Sequence, residues 1–253
     1  MGVAQCPGRE GIPAAYARSA GSGGTRPECS RAKRVTTLYR LDAPARTIAT
    51  AFGARSGLDP WSGGGVSPGQ FAPIITAGRE FIAGPRPAGR RLERRMIPRL
   101  WGVPPPPSVQ DVTRSVLTVR NPDSPFWIGN LRNSEFRCLV PASAFMVWGA
   151  GTDIEGKRLR HWFACADQPL FAFAGVWKDS EVPSFAIVTC VPNAMFRKAG
   201  RDTMPVILPA DAQAQDDWLY ADWNRASRLI APYSSSLMRE GHDSSGNDTG
   251  SAL

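Results

Sequence analysis

Residues Arg137 to Trp148 read RCLVPASAFMVW, and the fold class turns on how this stretch is divided. Arg137 to Val140 and Ala144 to Trp148 are short apolar runs rich in β-branched, aromatic and long aliphatic side chains, split by Pro141. Runs of this length bounded by a proline predict two strands and no helix. Working toward the C-terminus, Trp162 to Ala164, Leu170 to Trp177, Phe185 to Cys190 and Met204 to Leu208 repeat the pattern. Working back, Ser115 to Arg120, Leu100 to Val103 (stopped by the run Pro104 to Pro107), Arg79 to Ala83, Phe71 to Ile75 and Thr36 to Leu41 do the same. A turn around Ala77 and Gly78 is expected to join Phe71 to Ile75 and Arg79 to Ala83.

Helices are few. Ala43 to Ala54 is read as one, with Pro44 near its start and Gly53 near its end. Pro192 to Lys198 is a short helix or turn, and Asp211 to Tyr220 is a polar helix with Trp218 and Leu219 inward. Many short strands and few helices predict a β-rich α+β domain. GSGG at 21 to 24 and GGG at 63 to 65 lack the preceding strand and following helix of a phosphate loop. With no long βαβ unit, this rules against a Rossmann or P-loop reading.

The chain has 253 residues, 42% of them hydrophobic and 21% charged, enough for one domain with a sizeable core. Residues 1 to 34 are rich in Gly, Ala, Ser, Pro and Arg without periodicity and are expected to be disordered. Residues 35 to 239 form the domain, and 240 to 253 a disordered tail. The formal net charge of +8 favours an anionic partner, nucleic acid before a membrane surface, beside the plainer reading of a generally basic protein. No apolar run approaches the roughly 20 residues of a membrane helix. The five cysteines make no zinc spacing, and the two histidines are too few for a His-based metal site. Neither a metal nor a cofactor is expected. The odd cysteine count and the absence of a secretory signal predict reduced thiols and a cytoplasmic location.

The segments TLYRL (Thr37 to Leu41), VSPGQFAPII (Val66 to Ile75), LWGVPPPP (Leu100 to Pro107), TVRNPDSPFW (Thr118 to Trp127), RCLVPASAFMVW, FAFAGVW (Phe171 to Trp177), FAIVTCVPNA (Phe185 to Ala194) and MPVIL (Met204 to Leu208) occur in an order that resembles the SOS response-associated peptidase family. The resemblance spans Val35 to Leu219. It implies a single domain of mixed and antiparallel strands curled into a barrel-like sheet with a few short helices. It also implies a role in DNA repair. The family binds single-stranded DNA bearing an abasic site, and an N-terminal cysteine crosslinks to the sugar aldehyde, helped by an Asn, a Glu and a His.

This sequence departs from that pattern at each reacting position. Thr36 stands at the cysteine, with 35 residues before it; Thr118 stands at the Asn, Val147 at the Glu, and Gly200 or Arg201 at the His. A Thr hydroxyl is a far weaker acid than a thiol, an internal residue has no α-amine, and valine cannot handle protons. Arg120 is retained at the family's phosphate-holding arginine. The resemblance therefore implies a monomeric DNA binder without efficient crosslinking, with Arg120, Arg40, Trp101 and Trp127 as DNA contacts and no membrane partner. Two alternatives stand beside it: an active crosslinking enzyme with a replacement nucleophile, and a protein keeping only the fold.

Other residues have bland readings beside sharp ones. Cys138, Cys165 and Cys190 lie in apolar strands and read as buried, inert thiols. Cys29 reads as a solvated tail cysteine, and His161 as a surface residue at a strand end. The stretch Arg86 to Arg99 either borders a DNA groove or is a solvated basic face. Trp101 stacks on bases or packs in the core, and so does Trp127.

Overall fold

The computed structural model describes residues 38–78, 91–106, 115–152 and 154–242. Thr36, Cys6, Cys29, the strand expected at Arg79 to Ala83, the disordered segment expected at 1 to 34, and residues 243 to 253 of the tail expected from 240 lie outside them, while residues 240 to 242 are described and belong to a strand.

The stretch Arg137 to Trp148 does divide into two strands at its small residues: β6 (Arg137–Ala142) and β7 (Ala144–Thr152). They belong to different sheets. β6 joins β3 (Phe71–Thr76), β4 (Arg95–Trp101), β9 (Phe171–Lys178) and β10 (Ser184–Cys190). The order β10-β4-β3-β6-β9 closes on itself because β9 also pairs with β10. Four junctions of this five-stranded barrel are antiparallel, and β4–β10 is parallel. Closure leaves the ring without an open edge. β5 (Thr118–Val119) and β11 (Met204–Pro205) attach to β10.

β7 begins the second sheet, ordered β12-β8-β7-β1-β2, from β12 (Met238–His242), β8 (Arg158–Cys165), β1 (Leu38–Leu41) and β2 (Gly64–Val66). Aromatic side chains join it to the barrel. The buried Tyr39 ring meets Trp101 edge-on at 5.1 Å and Phe173 at 6.2 Å, and Phe145 meets Phe173 at 5.2 Å. Phe163 stacks at 4.6 Å on Phe196 of α3 (Ala194–Lys198). Such edge-to-face pairs add about 0.5–1.5 kcal/mol each beyond their buried area.

The helices are α1 (Ala45–Ala51), α2 (Ile128–Arg132), α3, α4 (Ala212–Tyr220) and α5 (Trp223–Ala226). α1 is shorter than Ala43 to Ala54, because Pro44 precedes its first residue and the chain reaches a left-handed Gly53 soon after its last. Asp211 caps α4 by accepting from the Gln213 amide at 2.9 Å. Trp218 donates from Nε1 to the carbonyls of Cys138 and Gly175, which seats α4 against the barrel.

Of the basic stretch Arg86 to Arg99, residues 86 to 90 lie outside the described residues, and the rest is bound into the fold. Arg94 donates to the Phe52 carbonyl at 2.7 Å and to Asp216 at 2.6 Å. Arg91 also pairs with Asp216 and lies over the Tyr220 ring; Arg95 donates to the Gly78 carbonyl, and Arg99 lies over Trp177. These described cations are engaged with the fold's own acceptors and rings.

Candidate functional site

β7 organises the site, because its two faces carry different chemistry. Directly opposed residues of an antiparallel pair share a face. Val147 is opposite His161 on β8, and Trp148 is opposite Arg160. Val147 is fully buried. The His161 side chain is nearly covered, its Nδ1 lies 2.5 Å from Glu240 Oε1 on β12, and its ring is parallel to Phe163 at 6.4 Å. His161 is thus an inward residue held by a carboxylate, which corrects the surface strand-end reading. It fits because residue 149 is glycine: a Cβ there would fall 2.4 Å from His161 Nε2. The sequence reading ended the domain at Arg239, but β12 carries Glu240 one residue beyond.

The outward side of β7 is basic and aromatic. Trp148 is half-buried, with the guanidinium carbon of Arg160 5.5 Å and that of Arg158 5.8 Å from its ring centroid. Arg201 follows α3 and donates from a terminal nitrogen to the Trp148 carbonyl at 3.1 Å. The turn that delivers it passes through Gly200, whose φ is +73°. A Cβ on Gly200 would lie 2.6 Å from the Cβ of Ala150 on β7, so both backbone angle and close approach call for glycine. Next along, Asp202 lies 3.8 Å from Arg120, which directly follows β5.

Asp202, Arg158 and Arg120 each act electrostatically on Arg201. Burial holds the Arg201 guanidinium below the usual arginine range; Asp202 opposes that shift, and Arg158 and Arg120 add to it. Arg201 itself is buried, 4% exposed, while Arg120, Arg158 and Asp202 reach solvent.

Several of the predicted positions come together here. Val147 neighbours Trp148, Gly200 and Arg201 touch the end of β7, Arg120 pairs with Asp202, and Thr118 lies two residues before Arg120, opposite Ile187. Leu38, the first described residue of β1, is opposite Met146. Arg40 is not part of the cluster. It pairs with Asp42 at 3.1 Å and stands opposite Ala144, four residues or roughly 13 Å along β7 from Trp148 at the usual strand rise.

Two aromatic expectations are corrected. Trp101 is fully buried, donating to the Leu117 carbonyl and packed on Tyr39, and Trp127 is buried against Phe126. Neither offers a free ring face to a base. The sequence reading missed Trp148, Arg158, Arg160 and Asp202. The alternation Arg158–Leu159–Arg160 was a usable signal for one basic strand face, but its tryptophan neighbour comes from another strand.

The chemistry available follows from these parts. The arginine–tryptophan face can hold phosphate and stack a base, and the His161–Glu240 pair can hold a proton. The described thiols are poor nucleophiles: burial pushes Cys165 and Cys190 up to about 12 and Cys138 higher still.

A family model described as SOS response associated peptidase (SRAP) matches residues 38–241. A comparison with curated proteins finds no match. Among solved structures, a protein from Bacteroides thetaiotaomicron is similar at 18% identity and a TM-score of 0.63, over 81% of this chain and 91% of its own. A Bordetella bronchiseptica protein is similar at 20% identity and a TM-score of 0.62, over 82% and 99% of the two chains. A phage-related protein from Bordetella bronchiseptica is similar at 17% identity and 0.59, over 83% and 94%. At these identities the likeness is one of fold.

Proposed function

Since this chain belongs to the SOS response-associated peptidase family, we propose that it serves the DNA damage response by binding single-stranded DNA, abasic sites included, as a monomer that does not crosslink efficiently. The observation that carries this reading is the half-buried Trp148 with the Arg158 and Arg160 guanidiniums over its ring, next to a buried Arg201 on which Arg120 and Arg158 act. Guanidiniums hold phosphate through parallel hydrogen bonds, and an indole stacks on any base, so the face suits a strand read by backbone and ring rather than by sequence. The missing crosslink follows from side-chain chemistry. Val147 is apolar and buried, Arg201 remains a cation, and Thr36 lacks a thiol.

The test is a filter-binding titration with an oligothymidylate at two salt concentrations. Wild type should bind with little sequence preference, and affinity should fall as salt rises. Arg120→Ala should weaken binding by about 1–3 kcal/mol. Equal affinities for the two proteins, or no salt dependence in the wild type, would remove the DNA-binding reading.

The His161–Glu240 pair supports a second reading, in which a relocated acid–base pair sustains covalent chemistry with abasic DNA. Denaturing gels after incubation with an abasic oligonucleotide separate the two. The first reading expects no adduct; an adduct abolished by His161→Gln favours the second.

A further inference from the structure

Trp162 shares a sheet face with Trp148. It stands on β8 opposite Met146 of β7, just as Arg160 stands opposite Trp148. Residues two apart on a strand point to the same side, so Trp148, Arg160 and Trp162 lie together on the outward face. Val147, His161 and Phe163 alternate with them and point inward. Trp162 is half-buried, and Arg160 is exposed. Among the described residues, Arg160 engages the Trp148 ring and no carboxylate. On its other side Trp162 borders β12, where its opposite residue is Gly241. A Cβ built on Gly241 meets nothing within 4 Å, so the ground beside the indole is open. Arg239, exposed and two residues before Gly241, edges that ground. Glu240 between them turns inward to His161.

We infer that Trp162 is a second base platform beside Trp148, so that this face holds two consecutive unpaired bases of one DNA strand, with Arg160 at the phosphate between them. The inference rests on the DNA-binding reading and deepens it. Diagonal neighbours on paired strands are about 7–8 Å apart. That is about twice the 3.4 Å step of stacked bases along a strand. Only a strand whose neighbouring bases have parted can reach both rings at once, and a duplex keeps its bases stacked. An indole stacks on any base, and a guanidinium donates to phosphate through two parallel bonds. The Arg160 guanidinium carbon is 5.5 Å from the Trp148 centroid, near the outer limit of a cation–π contact, so a phosphate can draw it off the ring. Gly241 leaves room for a base edge beside Trp162, and Arg239 adds a cation at the rim.

The experiment titrates a short oligothymidylate against wild type, Trp162→Ala, Trp162→Phe, Gly241→Val, Trp148→Ala and the double variant of Trp148→Ala with Trp162→Ala, at two salt concentrations, with a thermal melt of each. Trp162→Ala should bind about five- to fiftyfold more weakly at both salt concentrations, the loss of one stacked base. Trp162→Phe should recover most of that loss. Gly241→Val fills the open ground and leaves the indole in place. It should weaken binding without lowering the melting temperature, which keeps the test decisive if Trp162→Ala unfolds. In the double variant the two losses should roughly multiply, because the rings hold different bases. Phe71→Ala removes an exposed ring from β3 of the barrel and should match wild type. Unchanged affinity in folded Trp162→Ala or in Gly241→Val, a double variant no weaker than Trp148→Ala alone, or an equal loss in Phe71→Ala overturns the inference, while wild-type binding keeps the DNA-binding reading intact. If wild type does not bind, both fall.

Discussion

Trp148 shows how much a single side chain depends on neighbours distant in sequence. Its ring is flanked by Arg158 and Arg160 from β8, and its carbonyl accepts from Arg201. The guanidiniums over the ring hold its orientation, and a base that stacks on it shares or displaces them at the ring face. Trp148→Ala should weaken binding to single-stranded DNA by about 1–3 kcal/mol. The loss should appear at high and low salt alike, because stacking releases no counterions. A loss confined to low salt would mean that the indole only positions the arginines. Arg120 was legible in the sequence because it stands in the segment TVRNPDSPFW. Trp148 was read only as part of a strand, since its cations come from β8.

Among the elements, the turn from α3 into β11 matters most, because it carries Gly200, Arg201 and Asp202 onto β7. Its geometry is demanding: Gly200 has a φ of +73°, and an added Cβ would lie 2.6 Å from that of Ala150. Gly200→Ala should destabilise the fold by about 1–3 kcal/mol. It should also weaken DNA binding, because Arg201 would lose its place at the Trp148 carbonyl. Thermal melts with the binding assay check this, and an unchanged melting temperature would show that the turn tolerates a side chain. The elements were read unevenly from sequence. Pro44, Gly53 and Asp211 marked helix ends through local chemistry that acts within a few residues. β5 is only two residues of the expected Ser115 to Arg120, and β11 only two of Met204 to Leu208, because each segment switches partner: both pair with β10, but Val116 bridges Val103 and Ile207 bridges Phe173. β12 was missed altogether: Met238–His242 has little apolar alternation and is a strand because β8 offers it an edge.

Across the whole molecule, burial decides which groups stay silent. Cys138, Cys165 and Cys190 are all buried, and burial pushes each thiol well above its ordinary range. With Cys165 and Cys190 pushed up to about 12, the protonated thiol dominates at neutral pH. These three thiols should resist iodoacetamide at pH 8 in the native protein and react once denaturant is added. Peptide mass mapping before and after unfolding checks it, and native labelling at Cys190 would show that β10 opens locally.

The sequence by itself determined the β-rich α+β class and the family. It did so because strand pattern, turn residues and side-chain identity are local properties of the chain. The tertiary structure decided the rest. It closed five strands into a barrel through the β9–β10 pairing, buried Trp101 and Trp127, and turned His161 inward against Glu240. It also gathered Arg120, Arg158, Arg201 and Asp202 from three stretches of chain that meet only when the sheets form. Those outcomes depend on which strands pair and in which register, and pairing across 50 to 100 residues leaves no mark in the local pattern that a sequence displays.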